Sequence, residues 1–304
     1  EEAGAQRRPG DMETGGHPHP APPRHVQIGL SGSGEDPARA APYNAGMDTF
    51  TLHRGTAPLL VSVPHDGTLV PDDIAARLTD AARKVPDTDW HIARLYGFAR
   101  EMGASMIVPK YSRYVVDLNR SEDDVSLYPG QNTTGLCPVV RFSGDPVYRQ
   151  GQEPTAEEIQ ARVDRFWRPY HEALRAELDR LKQQHGRAVL WEGHSIRGEL
   201  PFLFDGRLPD LNLGTAGGAS CSPALQERLE SVLASQDRYD FVVNGRFKGG
   251  HITRHYGDPA GGIEAVQMET SQRTYMDEES FAWDEGRATA MQAVLRRLLE
   301  SVLE

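Results

Sequence analysis

The sequence predicts an α/β fold, a mixed and mainly parallel sheet with helices on both faces. Three observations carry this. Short apolar runs such as LLVSVP, ASMIVP and AVLWEG recur along the chain, amphipathic stretches of helical length separate them, and chemically active residues cluster where the runs end. Strands buried on both faces read as continuous apolar runs, and alternation with helices is how parallel strands are joined.

Residues 1–46 are rich in Gly, Pro, Ala and short polar residues without sustained apolar periodicity, so we read them as a disordered or peripheral extension, with Met47 a candidate start. The pattern changes at residue 56, where APLLVSVPH reads as a buried strand ending in Pro and His. Helices are expected over 71–82 and 90–102, the second followed by the strand ASMIVP. The β-branched and aromatic residues of YSRYVVDLNR suggest a further strand with polar groups at its exit. Residues 121–154 form a long Pro-, Gly- and polar-rich excursion, of the kind that in a compact domain is usually functional or mobile. A helix is expected over 155–184, opened by the capping signal TAEE, interrupted or kinked at Pro169 and ended by Gly186. The runs AVLWEGH, YDFVVNG and GIEAVQMET read as strands, and 284–303 as a closing amphipathic helix. No internal repeat occurs, so residues 47–304 form a single domain.

The 304 residues carry a formal charge of −11, which argues against affinity for nucleic acid or anionic membrane, both of them polyanions. No run of about 18 apolar residues is present to span a bilayer, and the opening EEAGAQRRPG lacks the apolar core of a secretory signal. The two cysteines, Cys137 and Cys221, make no disulfide framework; they fit small buried side chains and a cytoplasmic location.

The candidate chemistry lies at strand exits. His65 follows LLVSVP and His194 follows AVLWEG, so adjacent strands would bring the two imidazoles together. Zinc takes imidazole and carboxylate ligands and keeps one position open in hydrolytic sites. The third ligand is sought among Asp66, Asp87 and Asp89; Asp89 is favoured because it opens a predicted helix, with Asp87 in reserve. Glu192 and Glu269 are the strand-associated carboxylates, and Glu269 is the candidate general base because burial at the end of its apolar run would raise its pKa. Arg113, Arg120, Arg246 and Arg254 lie near strands among Gly, Asn and aromatic residues. Converging guanidinium forks bind carboxylates, which points to an anionic small molecule, and one can hold an oxyanion instead. Asp117 also permits an internal Asp–Arg pair. The Gly-rich run NGRFKGGHITRHYG reads as a turn or closing loop; His251 and His255 are four apart, but the double Gly argues against a helix, and His255 is assigned to substrate.

The segments SVPHDG, DTDWH, SRYVVDLNR, LWEGHSI, LPDLNLGT, NGRFKGGHITRHYG and AVQMET, in this order over residues 56–303, resemble the N-formylglutamate amidohydrolase family. The resemblance implies a catalytic domain with a zinc carboxypeptidase-like fold and one divalent metal, expected to be zinc. It also implies hydrolysis of N-formyl-L-glutamate, the deformylation of histidine breakdown. SRYVVDLNR is also similar to the arginine-bearing segment of aspartoacylases. That likeness gives Arg113 the carbonyl oxygen and Asn119 and Arg120 a substrate carboxylate, while Glu269 resembles the general-base carboxylate of the zinc carboxypeptidases. Arg246 and Arg254 are assigned the second carboxylate from local chemistry. Those relatives carry Glu three residues after the first His, where this chain has Thr68, so the third ligand is not carried over. The competing readings are a deacylase of another N-acyl acidic amino acid and a metal-free binder of acidic metabolites. The sequence leaves monomer or homo-oligomer open.

Overall fold

The structure is a computed structural model that describes residues 48–125, 130 and 132–304. The boundary read at residue 46 and the extension before it lie outside the described residues.

Seven strands form one sheet: β1 (Phe50–His53), β2 (Leu59–Ser62), β3 (Ser105–Pro109), β4 (Ala188–Ile196), β5 (Leu211–Gly214), β6 (Phe241–Val243) and β7 (Ile263–Ser271), ordered β1-β3-β2-β4-β7-β5-β6. The middle four, β3, β2, β4 and β7, are parallel; β1 and β5 are antiparallel to their inner neighbours. This is the mixed, mainly parallel α/β sheet expected.

Helices cover both faces because each strand splits its apolar residues between two cores. Leu59 and Val61 of β2, Val189 and Trp191 of β4, and Val266 and Met268 of β7 face helices α2 (Ile92–Leu95), α5 (Pro223–Ala234) and α7 (Glu285–Leu303). Leu60, Leu190 and Ala265 face α1 (Asp72–Ala75), α4 (Arg168–His185) and α6 (His251–Tyr256). On this second face the sheet changes character along its strands. Past Leu60, Leu190 and Ala265 the same-facing positions are Ser62, Glu192, His194, Gln267 and Glu269, all buried. A polar row thus lies at the carboxyl ends of parallel strands, where α/β folds place their ligands.

Several local readings are met. Thr155 and Glu158 form a reciprocal capping box at α3 (Ala156–Arg162), a π-turn over Val163–Trp167 precedes Pro169, and Gly186 ends α4 in the left-handed region at φ 75°. Cys137 and Cys221 are free and buried.

Others are corrected. Residues 71–82 hold only one helical turn, because Thr79 N–H donates to Val147 O instead of continuing the helix. Residues 90–102 divide into α2 and a 3-10 turn at Gly97–Arg100. YVVDLN is a series of turns rather than a strand; its apolar residues report burial in the core beneath α4, while Val115 N–H and Arg120 N–H close local turns. HITRHY is helical despite the double Gly, since Gly249 and Gly250 precede the helix and give it its entry. Strands β1 and β5 and helix α5 were not anticipated. Among the described residues no helix is long and apolar enough to cross a membrane.

Candidate active site

Strand β2 delivers His65 three residues past its end, β4 carries His194, and Asp89 precedes α2, its N–H donating to His65 O at 3.1 Å. These three side chains meet. His65 Nδ1 and His194 Nδ1 are 3.2 Å apart, His194 Nδ1 lies 3.0 Å from Asp89 Oδ2, and His65 Nδ1 lies 3.7 Å from the same oxygen. Tetrahedral bonds of about 2.0–2.1 Å place neighbouring ligand atoms about 3.3–3.4 Å apart, so this triangle has the size of a metal's ligand face.

The outer nitrogens are committed elsewhere. His65 Nε2–H donates to Asp117 Oδ1 at 2.7 Å and His194 Nε2–H to Glu192 Oε1 at 2.7 Å. Ionised carboxylates only accept, so each ring is held with its Nδ1 lone pair turned inward, the carboxylate–histidine arrangement of metal ligands. Two lone pairs 3.2 Å apart repel unless a cation or proton lies between them. Around them, four buried carboxylates, Asp89, Asp117, Glu192 and Glu269, face one buried guanidinium, Arg113. The donor set and the excess of negative charge both fit a divalent ion held by His65, His194 and Asp89. In the protein alone, burial would lower the His194 pKa, but Glu192 and Asp89 outweigh it and push it up to about 10. Burial opposes ionisation of Asp89, yet His65 and His194 hold its carboxyl well below the usual range.

Asp89 is oriented by Ser195 N–H, which donates to Oδ2 at 3.0 Å. Asp87, the reserve ligand, is turned away; it accepts from Tyr114 O–H at 2.7 Å and Phe142 N–H at 2.8 Å. Thr68 is exposed and outside the cluster. The internal pair permitted by YVVDLN exists: Arg113 donates to Asp117 Oδ2 at 2.9 Å, its guanidinium lying 4.7 Å from the centre of the Phe142 ring.

Glu269 stands on β7 beside His194 on β4. It is buried, its Oε1 has no hydrogen-bond partner, and burial pushes its pKa up to about 8 against the pull of His194. Asn119 accepts from Ile252 N–H at 2.9 Å, which turns its Nδ2 toward His194 Nε2, 3.0 Å away. Arg120 is steered by Thr134 O and its neighbour's carbonyl, and no carboxylate of the described residues pairs with it. Arg246 is held by Leu203 O and Asn132 O.

Glu269, Asn119, Arg120 and Arg246 border one cleft, whose lining also includes His65, Asp89, His194, Arg113 and Gln267. Arg254 and His255, assigned to substrate from sequence, do not line it. Once α6 forms, Ile252, Thr253 and Tyr256 take its buried face and these two fall on the exposed one. Phe142, Thr134 and Gln267 line the cleft without having been singled out in the sequence. The excursion over 121–154 was the available signal for the first two.

Fold and site together define an α/β protein with a buried two-histidine, one-carboxylate cluster and an adjoining unpartnered glutamate, an arrangement suited to metal-assisted hydrolysis. The family model of N-formylglutamate amidohydrolase matches residues 57–276. The chain belongs to that family. It is 54% identical over 255 residues to the N-formylglutamate deformylase of Pseudomonas putida, covering 84% of this chain and 95% of that one. It is also 54% identical over 257 residues to the N-formylglutamate deformylase of Pseudomonas aeruginosa, covering 84% and 96%. Among solved structures, the N-formylglutamate amidohydrolase of Ralstonia eutropha JMP134 superposes with a TM-score of 0.72 at 26% identity, over 84% of this chain and 98% of that one. A protein of Agrobacterium tumefaciens, 17% identical with a TM-score of 0.63 over 84% and 93%, shares the fold.

Proposed function

We propose that the protein hydrolyses N-formyl-L-glutamate to formate and L-glutamate, a deformylation in histidine breakdown, with one divalent ion of zinc type. The observation that carries this is the closed triangle of His65 Nδ1, His194 Nδ1 and Asp89 Oδ2 beside the unpartnered Glu269 Oε1. Its relatives' names supply the substrate. Those three atoms would hold the ion, which when bound supplies a Lewis acid that acidifies water to a pKa of about 7.

The chain's own groups do the rest. Glu269 takes the proton of the attacking water at its free oxygen and returns it to the leaving amine nitrogen. Arg113, buried and pinned to Asp117, faces the cleft and holds negative charge developing on the formyl oxygen. Arg120, Asn119 and Arg246 receive the two carboxylates of a dicarboxylate substrate, for which guanidinium forks give orientation as well as affinity.

The test is turnover of N-formyl-L-glutamate by the purified protein before and after chelation, with metal content measured in parallel. Turnover that vanishes on chelation and returns with added zinc is expected. Unimpaired turnover by metal-free protein would remove the metal from the mechanism; no turnover by protein carrying one zinc per chain would remove the substrate. A panel of N-acetyl and N-succinyl glutamates separates the formyl group from larger acyls.

A further inference from the structure

One more buried polar group is aimed into the cleft. Gln267 lies on β7 in register with Glu192 of β4, on the same face as Glu269 two residues later, and is 4% exposed. Its orientation is determined by its partner: Gly250 N–H donates to its side chain at 2.7 Å, which only the amide oxygen can accept. The NH₂ group therefore points the other way, into the cleft that Gln267 lines, and among the described residues no acceptor meets it. Its donors are thus left to whatever occupies the cleft.

Its neighbours are of the same kind. Gly250 packs so closely on the Asn119 amide that a side chain there would collide with it, so Asn119 and Gln267 flank one glycine. Asn119 spends its oxygen on Ile252 N–H, and its Nδ2 faces a ring nitrogen whose proton already goes to Glu192. Arg120, beside Asn119, has no carboxylate paired with it among the described residues. Three side chains here, Asn119, Arg120 and Gln267, bring N–H donors to the cleft.

We propose that Gln267 is a substrate-positioning residue that completes, with Asn119 and Arg120, a subsite for one carboxylate of the substrate. The inference rests on the function proposed above and adds to it a discriminator of carboxylate from carboxamide. These three donor groups pair fully with a carboxylate, whereas a carboxamide turns its own NH₂ against them.

The experiment uses the full, zinc-loaded chain with Gln267→Glu and Gln267→Leu. The glutamate variant keeps the oxygen that Gly250 needs and loses only the donors; the leucine variant loses both. For N-formyl-L-glutamate the expected result for Gln267→Glu is a KM raised about tenfold to a hundredfold with a much smaller change in kcat. The same assay with the α-amide and the γ-amide of that substrate identifies the carboxylate. For one amide, kcat/KM should fall far less than for the diacid, because the new carboxylate accepts from its NH₂. An equal fall for all three substrates, or an unchanged KM in both variants, overturns the assignment. Calorimetric binding of L-glutamate reads the same subsite without turnover and should weaken in parallel. If wild-type protein failed to turn over N-formyl-L-glutamate, the proposed function would fall, while this binding measurement would still decide for or against Gln267.

Discussion

At the scale of single residues, the most consequential group is Glu269, a carboxyl held in a buried site with one oxygen unpartnered and its pKa pushed up to about 8. Glu269→Gln preserves shape and removes proton transfer. The variant should bind metal like the wild type and lose about 10²- to 10⁴-fold in kcat, the usual worth of a positioned acid–base group. Metal content and single-turnover rate measured on the same preparation check this; near-normal turnover with metal bound would exclude Glu269 as the base. His65, His194 and Glu269 were legible in the sequence because each ends or follows an apolar run, a one-dimensional signal. Asp89 was separable from Asp87 only by its place before a predicted helix. Gln267 and Phe142 carried no such signal, since their roles come from what the fold sets opposite them.

At the scale of elements, Glu192 joins β4 to α6. One oxygen accepts from His194 Nε2–H, and the other accepts from both Thr253 N–H, at 3.1 Å, and the Thr253 hydroxyl. The same carboxylate thus orients a ligand ring and caps the helix whose entry holds Asn119 and Gln267. Glu192→Gln leaves a neutral amide whose NH₂ must face either Nε2–H or Thr253 N–H, both donors. The expected outcome is a metal affinity lowered about 10- to 100-fold, read by competition with a chromophoric chelator, together with a lowered melting temperature. An unchanged affinity would mean that Glu192 does not set the ring. The elements themselves were unevenly legible. β2, β4 and β7 are continuous apolar runs, and α4 and α7 have long amphipathic periods. YVVDLN misled because β-branched and aromatic residues report burial, which turns can also supply. β1 and β5, four residues each, and the six-residue α6 are too short for a period to show. Without α6, the outward placement of Arg254 and His255 could not be read.

At the scale of the whole molecule, a fold that buries this many ionisable groups must respond to pH, and His171 shows the sign. It lies on α4 with Nε2 against Leu118 O at 2.9 Å and Nδ1 against Tyr256 O–H at 2.9 Å, joining α4, the YVVDLN turns and α6. Burial lowers its pKa to about 3; the Leu118 carbonyl opposes the shift, and His251 and His255 add to it. Unfolded, it would titrate at its ordinary 6.5. Above that pH both states are neutral and His171 has no effect. Between about 6.5 and 3 the unfolded chain takes up the proton while the folded chain refuses it, so stability falls as pH drops through this window. From pH 7 to pH 5 this one group should cost about 2 kcal/mol. Buried acids with raised pKa, such as Asp66 at about 6, bind protons in the folded state and work in the opposite direction. The wild-type slope alone is therefore not diagnostic, and the comparison must be with His171→Gln, which retains hydrogen-bonding capacity and removes the titration. Urea midpoints at pH 7 and pH 5 should draw closer together in the variant than in the wild type, even if the variant is less stable at both. Parallel slopes would show that His171 is protonated in the fold, and the junction of α4 and α6 would then have to accommodate a charge that this packing gives no means of neutralising.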